Sequence, residues 1–295
     1  MKLALAPIQY YWPRDKVFAF YEEMAAAPVD IVYLGEAVCS RRHELRLSDW
    51  LALADRLEQA GKQVVLSTQV LIESGSDLGT LRRISSNGRH LVEANDMGAV
   101  QCMSGRPFVA GPHLNLYNAP SLAIVAREGA LRWVMPLEMS RACLEQVLAA
   151  RPAGLETEVF AYGRLPLAFS ARCFTARHRN LPKDDCRFSC IDHPDGLLME
   201  TREKQPFLVL NGIQTQSALV YNLAAEIPAM RAAGVDVLRL SPQSAHMGEI
   251  VALMRAAVDG ALAPADAAAR MAPLMPAAAC DGFWHGRPGL VKQAA

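Results

Sequence analysis

Short apolar runs alternate with stretches of helical periodicity along almost the whole chain. Runs of about four to eight apolar residues bounded by turn formers read as buried strands. They fall at Leu3–Ile8, Ile31–Leu34, Val64–Ser67, His90–Ala94, Phe108–Gly111, Trp133–Leu137, Leu155–Ala161 and Val235–Leu240. Most are followed by a segment whose apolar positions recur at helical spacing. The first helix begins near Pro13, a good first-turn residue, and sets Val17, Phe20, Tyr21 and Met24 on one face. The second takes Ser48 as its N-cap, buries Leu51, Ala54 and Leu57, and stops at Gly61. Further helices are predicted over Asp77–Ser86, Asp96–Ser104, Asn118–Glu128, Ser140–Ala150, Ser217–Ala233 and Ser244–Asp259. The last carries Met247, Ile250, Val251, Met254 and Val258 as its apolar stripe.

Eight strands, each trailed eventually by a helix, predict an α/β fold, a (β/α)8 TIM-like barrel; a doubly wound open sheet is the alternative. The pattern reads as one domain over residues 1–295 with one break. Residues 164–205 are rich in Arg, Cys, Pro and Asp and lack clear periodicity. An excursion that long inside a compact domain is usually functional. The apolar run Phe207–Leu210 is either a hairpin arm of this excursion or the true seventh strand. Residues 261–295 form a C-terminal arm. Its Ala/Pro-rich part to residue 279 reads as weakly ordered or wrapping, and Phe283 and Trp284 suggest that the tail docks.

Composition narrows the function classes. The 295 residues carry 30 Lys+Arg against 30 Asp+Glu, and 52% are hydrophobic. Balanced charge argues against a dedicated nucleic-acid binder and against a polybasic membrane anchor. High apolar content argues against disorder. The opening Met1–Ile8 is too short for a secretory signal, and no run of eighteen apolar residues occurs. The expected compartment is the cytoplasm. Seven cysteines, an odd number, then imply reduced thiols and make clustered cysteines more plausible as metal ligands than as disulfides.

Three cysteines lie close together in the excursion: Cys173, Cys186 and Cys190. Their neighbours Arg172, Lys183, Asp185 and Arg187 make poor company for a packed core. A fourth ligand is best supplied by Cys39, just beyond the second strand, because all βα loops of a barrel share one face. Cys102 and Cys143 fall within helices and Cys280 in the tail, where a thiol is more often just a small buried hydrophobe. Four thiolates suit zinc or an iron–sulfur cluster. Structural zinc prefers paired short knuckles, and only Cys186–Cys190 approaches one. The wider spacings suit a 4Fe–4S cluster, whose irons are each capped by one cysteine. Residues 172–190 hold five basic side chains against Asp184 and Asp185, which would offset a cluster's negative charge. His178 and His193 lie near enough in sequence to replace one thiolate.

The run Glu158-Val159-Phe160-Ala161-Tyr162-Gly163, followed by Ser170-Ala171-Arg172-Cys173, resembles the signature of the U32 "peptidase" family. Within that family the opening Lys2–Pro7, the stretch Val32–Arg42 and Leu238–Pro242 are similar to the UbiV branch. The resemblance covers nearly the whole chain. It implies a 4Fe–4S cluster on Cys39, Cys173, Cys186 and Cys190. It also implies a role in oxygen-independent ubiquinone biosynthesis, as one subunit of a heterodimer with a UbiU-like partner that hydroxylates the quinone ring. A UbiT-like lipid-binding protein is associated with that pathway. Other U32 members hydroxylate RNA bases, with prephenate implied as oxygen source. A protease is not expected, because no H-E-x-x-H, no G-x-S-x-G and no convincing Cys/His dyad is present.

Polar residues near strand C-termini point toward the barrel mouth: Glu36, Gln69, Asn95, His113, Asn115, Glu138, Tyr162 and Arg239. Each is as readily a helix cap as a substrate contact. His113 and Asn115, directly after the fifth strand, and Arg239, able to grip a carboxylate such as that of prephenate, are the catalytic candidates. Three readings follow: a cluster-dependent hydroxylation subunit acting on a ubiquinone precursor, an RNA-modifying relative, and a non-catalytic electron-transfer or assembly subunit.

Overall fold

The computed structural model describes residues 1–293. Seven parallel strands follow one another around the wall: β1 (Lys2–Leu5), β2 (Ile31–Leu34), β3 (Gln63–Ser67), β4 (Leu91–Ala94), β5 (Phe108–Ala110), β6 (Ala130–Val134) and β7 (Glu156–Phe169). After β8 (Leu197–Glu200), β9 (Pro206–Asn211) and β10 (Gln214–Asn222), β11 (Val237–Leu240) pairs in parallel with both β1 and β7 and closes an eight-stranded barrel. The wall helices are α1 (Arg14–Ala26), α2 (Leu47–Gln59), α3 (Gly75–Ser85), α4 (Met97–Met103), α5 (Ala119–Glu128) and α6 (Arg141–Leu148). The short α7 (Phe174–His178) stands in the excursion, and α8 (Ile227–Ala233), α9 (Met247–Val258) and α10 (Pro264–Met271) complete the set.

The near-continuous apolar runs arise because both faces of a barrel strand are covered. Ala4, Ile31, Tyr33, Val65, Val109, Val134 and Val237 meet inside the barrel. Their neighbours Leu3, Leu5, Val32, Leu34, Val64 and Leu66 face the helices. Three helices are capped by the residues at which the sequence reading begins them: Asp96, Asn118 and Ser140 accept from the amides of Gly98, Ser121 and Cys143. α3 starts earlier than the expected Asp77, its cap Ser74 accepting from the Asp77 amide.

Several boundaries differ from the sequence reading. β1 ends at Leu5, not Ile8, since Pro7 has no amide to extend a ladder. β6 is Ala130–Val134 instead of Trp133–Leu137: Pro136 interrupts the later window, while Arg132 falls in register with Glu156. α2 starts at Leu47, so Ser48 lies inside its first turn. Asp49 bonds back to the amide of Arg46 at 2.8 Å and closes the turn earlier.

The larger corrections concern the excursion. β7 does not end at Ala161 but continues to Phe169, and β10 pairs antiparallel with its outer half from Tyr162↔Asn222 to Phe169↔Gln214. β9 adds to β10, and β8 adds to β9. Phe207–Leu210 therefore belongs to a hairpin arm. The helix expected over Ser217–Ala233 is a strand as far as Asn222, and only Ile227–Ala233 is α-helical. Ala218, Leu219 and Ala224 favour helix locally, but backbone pairing on both sides of β10 overrides that weak preference. The stretch after residue 261, expected as weakly ordered or wrapping, holds α10 packed against α9 and then β12 (Ala279–Cys280), which pairs with β10. Trp284 is buried and its indole donates to Glu226 at 2.9 Å.

Candidate functional site

Cys39 lies at the end of a turn that follows β2. The amides of Val38 and Cys39 both donate to Glu36 Oε1 at 3.0 Å, so one carboxylate folds the loop that presents the thiol. The amide of Arg42 donates to the Cys39 carbonyl at 3.1 Å. The buried Arg42 guanidinium then reaches across the barrel end, donating to the Gln9 carbonyl and to Asn211 Oδ1, each at 2.7 Å, and contacting Glu36 at 3.5 Å. Its charge acts on the Cys190 and Cys39 thiols. Asn211 opens the β9–β10 turn. The next residues carry the other wall: the amide of Gly212 donates to Thr175 Oγ1, and the amide of Phe174 to the Gly212 carbonyl. Cys173 caps α7, and its sulfur accepts from the Ala176 amide at 3.4 Å.

Cys39, Val38 and Ile213 share an apolar pocket against which Cys173 and Phe169 pack. Cys173 is also within electrostatic reach of both Cys39 and Cys190. Cys186 sits half-buried before Cys190 on the same loop, its carbonyl accepting from the Ser189 amide at 3.2 Å. Cys143 is exposed on α6, Cys102 half-buried on α4, and Cys280 buried in β12. Among the described residues, the one group of three or more carboxylate, imidazole or thiol ligands at single-ion spacing is Asp55, Glu58 and His90. It lies near the opposite barrel end, with Arg89 already paired to both acids.

The donor chemistry fits a soft, multi-iron group. Burial pushes the Cys39 thiol up to about 11 despite the nearby Arg42, and raises Cys190 for the same reason. Such thiols are poor free nucleophiles but deprotonate on binding a metal. The cysteine sulfurs do not crowd to one-ion spacing, as ligands that each cap a different iron need not. Cys39, Cys173, Cys186 and Cys190 are the residues that would hold a 4Fe–4S cluster.

The central mouth differs from the sequence picture. Arg239 lies inside the barrel, paired with Glu93 at 2.7 Å and Glu158 at 2.5 Å, and stacks 4.2 Å over the Tyr33 ring. Tyr33 donates to Glu158, and Arg132 bonds Tyr33 and Glu156. Its carboxylate partners are thus supplied by the protein itself. His113 sits above this plug, its ring edge-on to Phe169 with centroids 5.0 Å apart. Burial lowers its imidazole from the ordinary 6.5 to about 4. Asn115 adopts a left-handed conformation (φ 54°) and, with His113 and Glu138, lines a cavity of about 400 Å³. Asn95 bonds the Thr68 carbonyl and Glu93; Glu138 accepts from Tyr117; Tyr162, mid-strand in β7, donates to Gln243. A larger cavity, about 720 Å³, opens between the second and third βα connections and shares Glu36 and Arg42 with the thiol site.

Arg42 as the hub of the thiol site was not legible in the sequence. Arg41 and Arg42 are adjacent, yet Arg41 bonds the Asp184 carbonyl at the surface while Arg42 is buried. The signal available was position: Arg42 stands three residues past Cys39, which returns it toward the same loop base.

A closed eight-stranded parallel barrel with an antiparallel excursion on its seventh strand defines the fold class. Residues 16–292 match Peptidase family U32, and the chain belongs to that family. Among solved structures it is similar to a U32 peptidase, at 12% identity over 82% of this chain and 93% of that one, with a TM-score of 0.46. It is also similar to a candidate dihydrodipicolinate synthetase from Pseudomonas aeruginosa, at 8% identity over 93% and 82%, TM-score 0.48. A dihydrodipicolinate synthase from Agrobacterium tumefaciens matches at 14% identity over 92% and 81%, TM-score 0.39. Among the described residues, no helix is long and apolar enough to cross a membrane.

Proposed function

We propose that this chain is a UbiV-like iron–sulfur subunit of an oxygen-independent hydroxylase in ubiquinone biosynthesis. It works in the cytoplasm with a UbiU-like partner and a UbiT-like lipid-binding protein, on a ubiquinone precursor with prephenate as the oxygen source. The observation that carries this reading is the packing of Cys39, from the loop after β2, against Cys173, from the excursion, beside the buried Arg42 guanidinium. When bound, a 4Fe–4S cluster supplies one-electron transfer, and four thiolates leave no iron open to substrate. Glu36 and Arg42 hold the loop that presents Cys39 in place. Burial that keeps Cys39 protonated also argues against a cysteine protease.

The RNA-modifying alternative has less support. Arg179, Lys183 and Arg187 are engaged by Asp192, Glu73 and Asp185, and among the described residues only Arg172 and Arg177 of the five basic side chains in 172–190 lack a carboxylate, a small footprint on a chain of balanced charge. Phosphate binding needs cations free to release counterions.

The test is iron and sulfide analysis of protein purified without oxygen. A brown protein with about four irons and four sulfides per chain is expected, since each cysteine caps one iron. Cys39→Ala should lose that content. A colourless protein with one stoichiometric zinc would sink the reading.

A further inference from the structure

Near the barrel end opposite the thiols, α2 and the loop before β4 bring together three side chains that the proposed function does not use. Asp55 and Glu58 stand three residues apart on α2, so they share one helix face. His90 directly precedes β4, and its loop is pinned. The Asn87 side chain accepts from the His90 amide at 2.7 Å and donates to the His90 carbonyl at 3.1 Å. Ligand atoms of Asp55, Glu58 and His90 all lie within 4.8 Å of one another, the spacing of ligands around a single ion. A pair of acids on a helix is commonplace; the imidazole sets this pair apart. The His90 side chain is 1% exposed, and its Nδ1 makes no hydrogen bond. Glu58 Oε1 stands 2.9 Å from that nitrogen, yet the two are not aligned as donor and acceptor. Close approach without a shared proton suits two ligands of one cation, since neighbouring ligands about 2.1 Å from a zinc ion stand about 3 Å apart. A buried imidazole nitrogen left unpaired is costly, so it calls for a partner. Arg89 does not serve. It reaches Asp55 Oδ1 and Glu58 Oε2, and among the described residues it leaves His90 Nδ1 and the second oxygen of each acid without a hydrogen bond. Its side chain is 57% exposed, and exposed ion pairs of this kind are worth little.

We propose that Asp55, Glu58 and His90 bind one zinc-class divalent cation, with water completing its coordination. One imidazole and two carboxylates suit zinc and its neighbours cobalt and nickel, whereas magnesium and calcium take oxygen ligands. The site is a clasp and not a reaction centre. It ties α2 to the connection between α3 and β4, at the barrel end where side chains serve stability. Arg89 is the resident counter-charge that an arriving cation must offset or displace. The clasp shares no residue with the cysteines, so it stands or falls apart from the iron–sulfur reading.

The test is calorimetric titration of zinc into the full chain purified without oxygen. One zinc ion should bind at this site with a Kd below about 0.1 mM, and zinc at about a hundred times Kd should raise the unfolding temperature by about 3 °C or more. Asp55→Asn, at a half-exposed position, and His90→Ala should each weaken that binding at least about tenfold and remove the thermal shift. Arg89→Ala should tighten it about threefold or more, because a neighbouring positive charge is gone; no misfolded variant mimics a gain. Cobalt offered in place of zinc should bind here without the intense thiolate charge-transfer absorption. Metal held by the cysteines shows that absorption and is indifferent to Asp55→Asn, which separates the two sites whatever the thiols carry. Absence of stoichiometric binding outside the cysteines, unchanged affinity in Asp55→Asn, or an Arg89→Ala protein that binds no tighter would each overturn the proposal.

Discussion

His113 shows how one residue is set by its surroundings. Burial holds its imidazole near 4 instead of 6.5, with Glu93 opposing and Arg239 reinforcing the drop. The ring is neutral at physiological pH and serves as a flat apolar lid against Phe169. The unfolded chain takes up a proton on this side chain near pH 6.5, and the folded chain does not until about pH 4. Stability from this group is complete above that window and lost as pH falls through it. We expect His113→Leu to show a flatter fall in urea stability between pH 7 and 4.5 than the wild type. A ring titration midpoint at or above 6.5 by NMR would contradict the assignment. Nothing in the string Gly111-Pro112-His113 announces this; the covering Phe169 arrives from a strand whose length the sequence concealed.

Among elements, β7 explains the family run that ends in Gly163. That glycine has φ 123°, and a β-carbon there would stand 2.5 Å from the Ser241 side chain. The site admits neither an L side chain nor its conformation, at the point where β11 shifts register against β7. Gly163→Ala should destabilise the protein by about 1–3 kcal/mol or more, read by chemical denaturation. A change below about 0.5 kcal/mol, the scale of an ordinary surface substitution, would show the strand relaxes there. The order of the eight barrel strands was legible from their apolar runs, but not the bounds of β1, β6 and β7, nor that Glu93, Arg132, Glu158 and Arg239 pair inside the barrel. β10 was not: Ser217–Leu223 reads as the start of a helix, and its fate is decided by pairing with β9 and with β7, the latter distant in sequence. That Cys39 and Cys173 come together at one barrel end was legible from the rule that βα loops share a face. The buried Arg42 beside them was not, since two adjacent arginines look alike until one is buried.

For the molecule as a whole, the last segment fastens the barrel where the excursion leaves it. Trp284 is 1% exposed, donates to Glu226, and its carbonyl accepts from the amide of Arg141 at 2.9 Å. Trp284→Ala should cost about 3–5 kcal/mol of unfolding free energy by removing a large buried ring. A denaturation midpoint within error of the wild type would mean the arm contributes little. The fourteen residues of β7 serve two structures, half of them barrel wall and half the root of the excursion, and register shifts against β11 and β10 fall where the halves join. A bend is therefore built into the strand that carries Cys173, so any shift of the excursion relative to Cys39 has its hinge in the middle of β7 and not in the barrel wall below it.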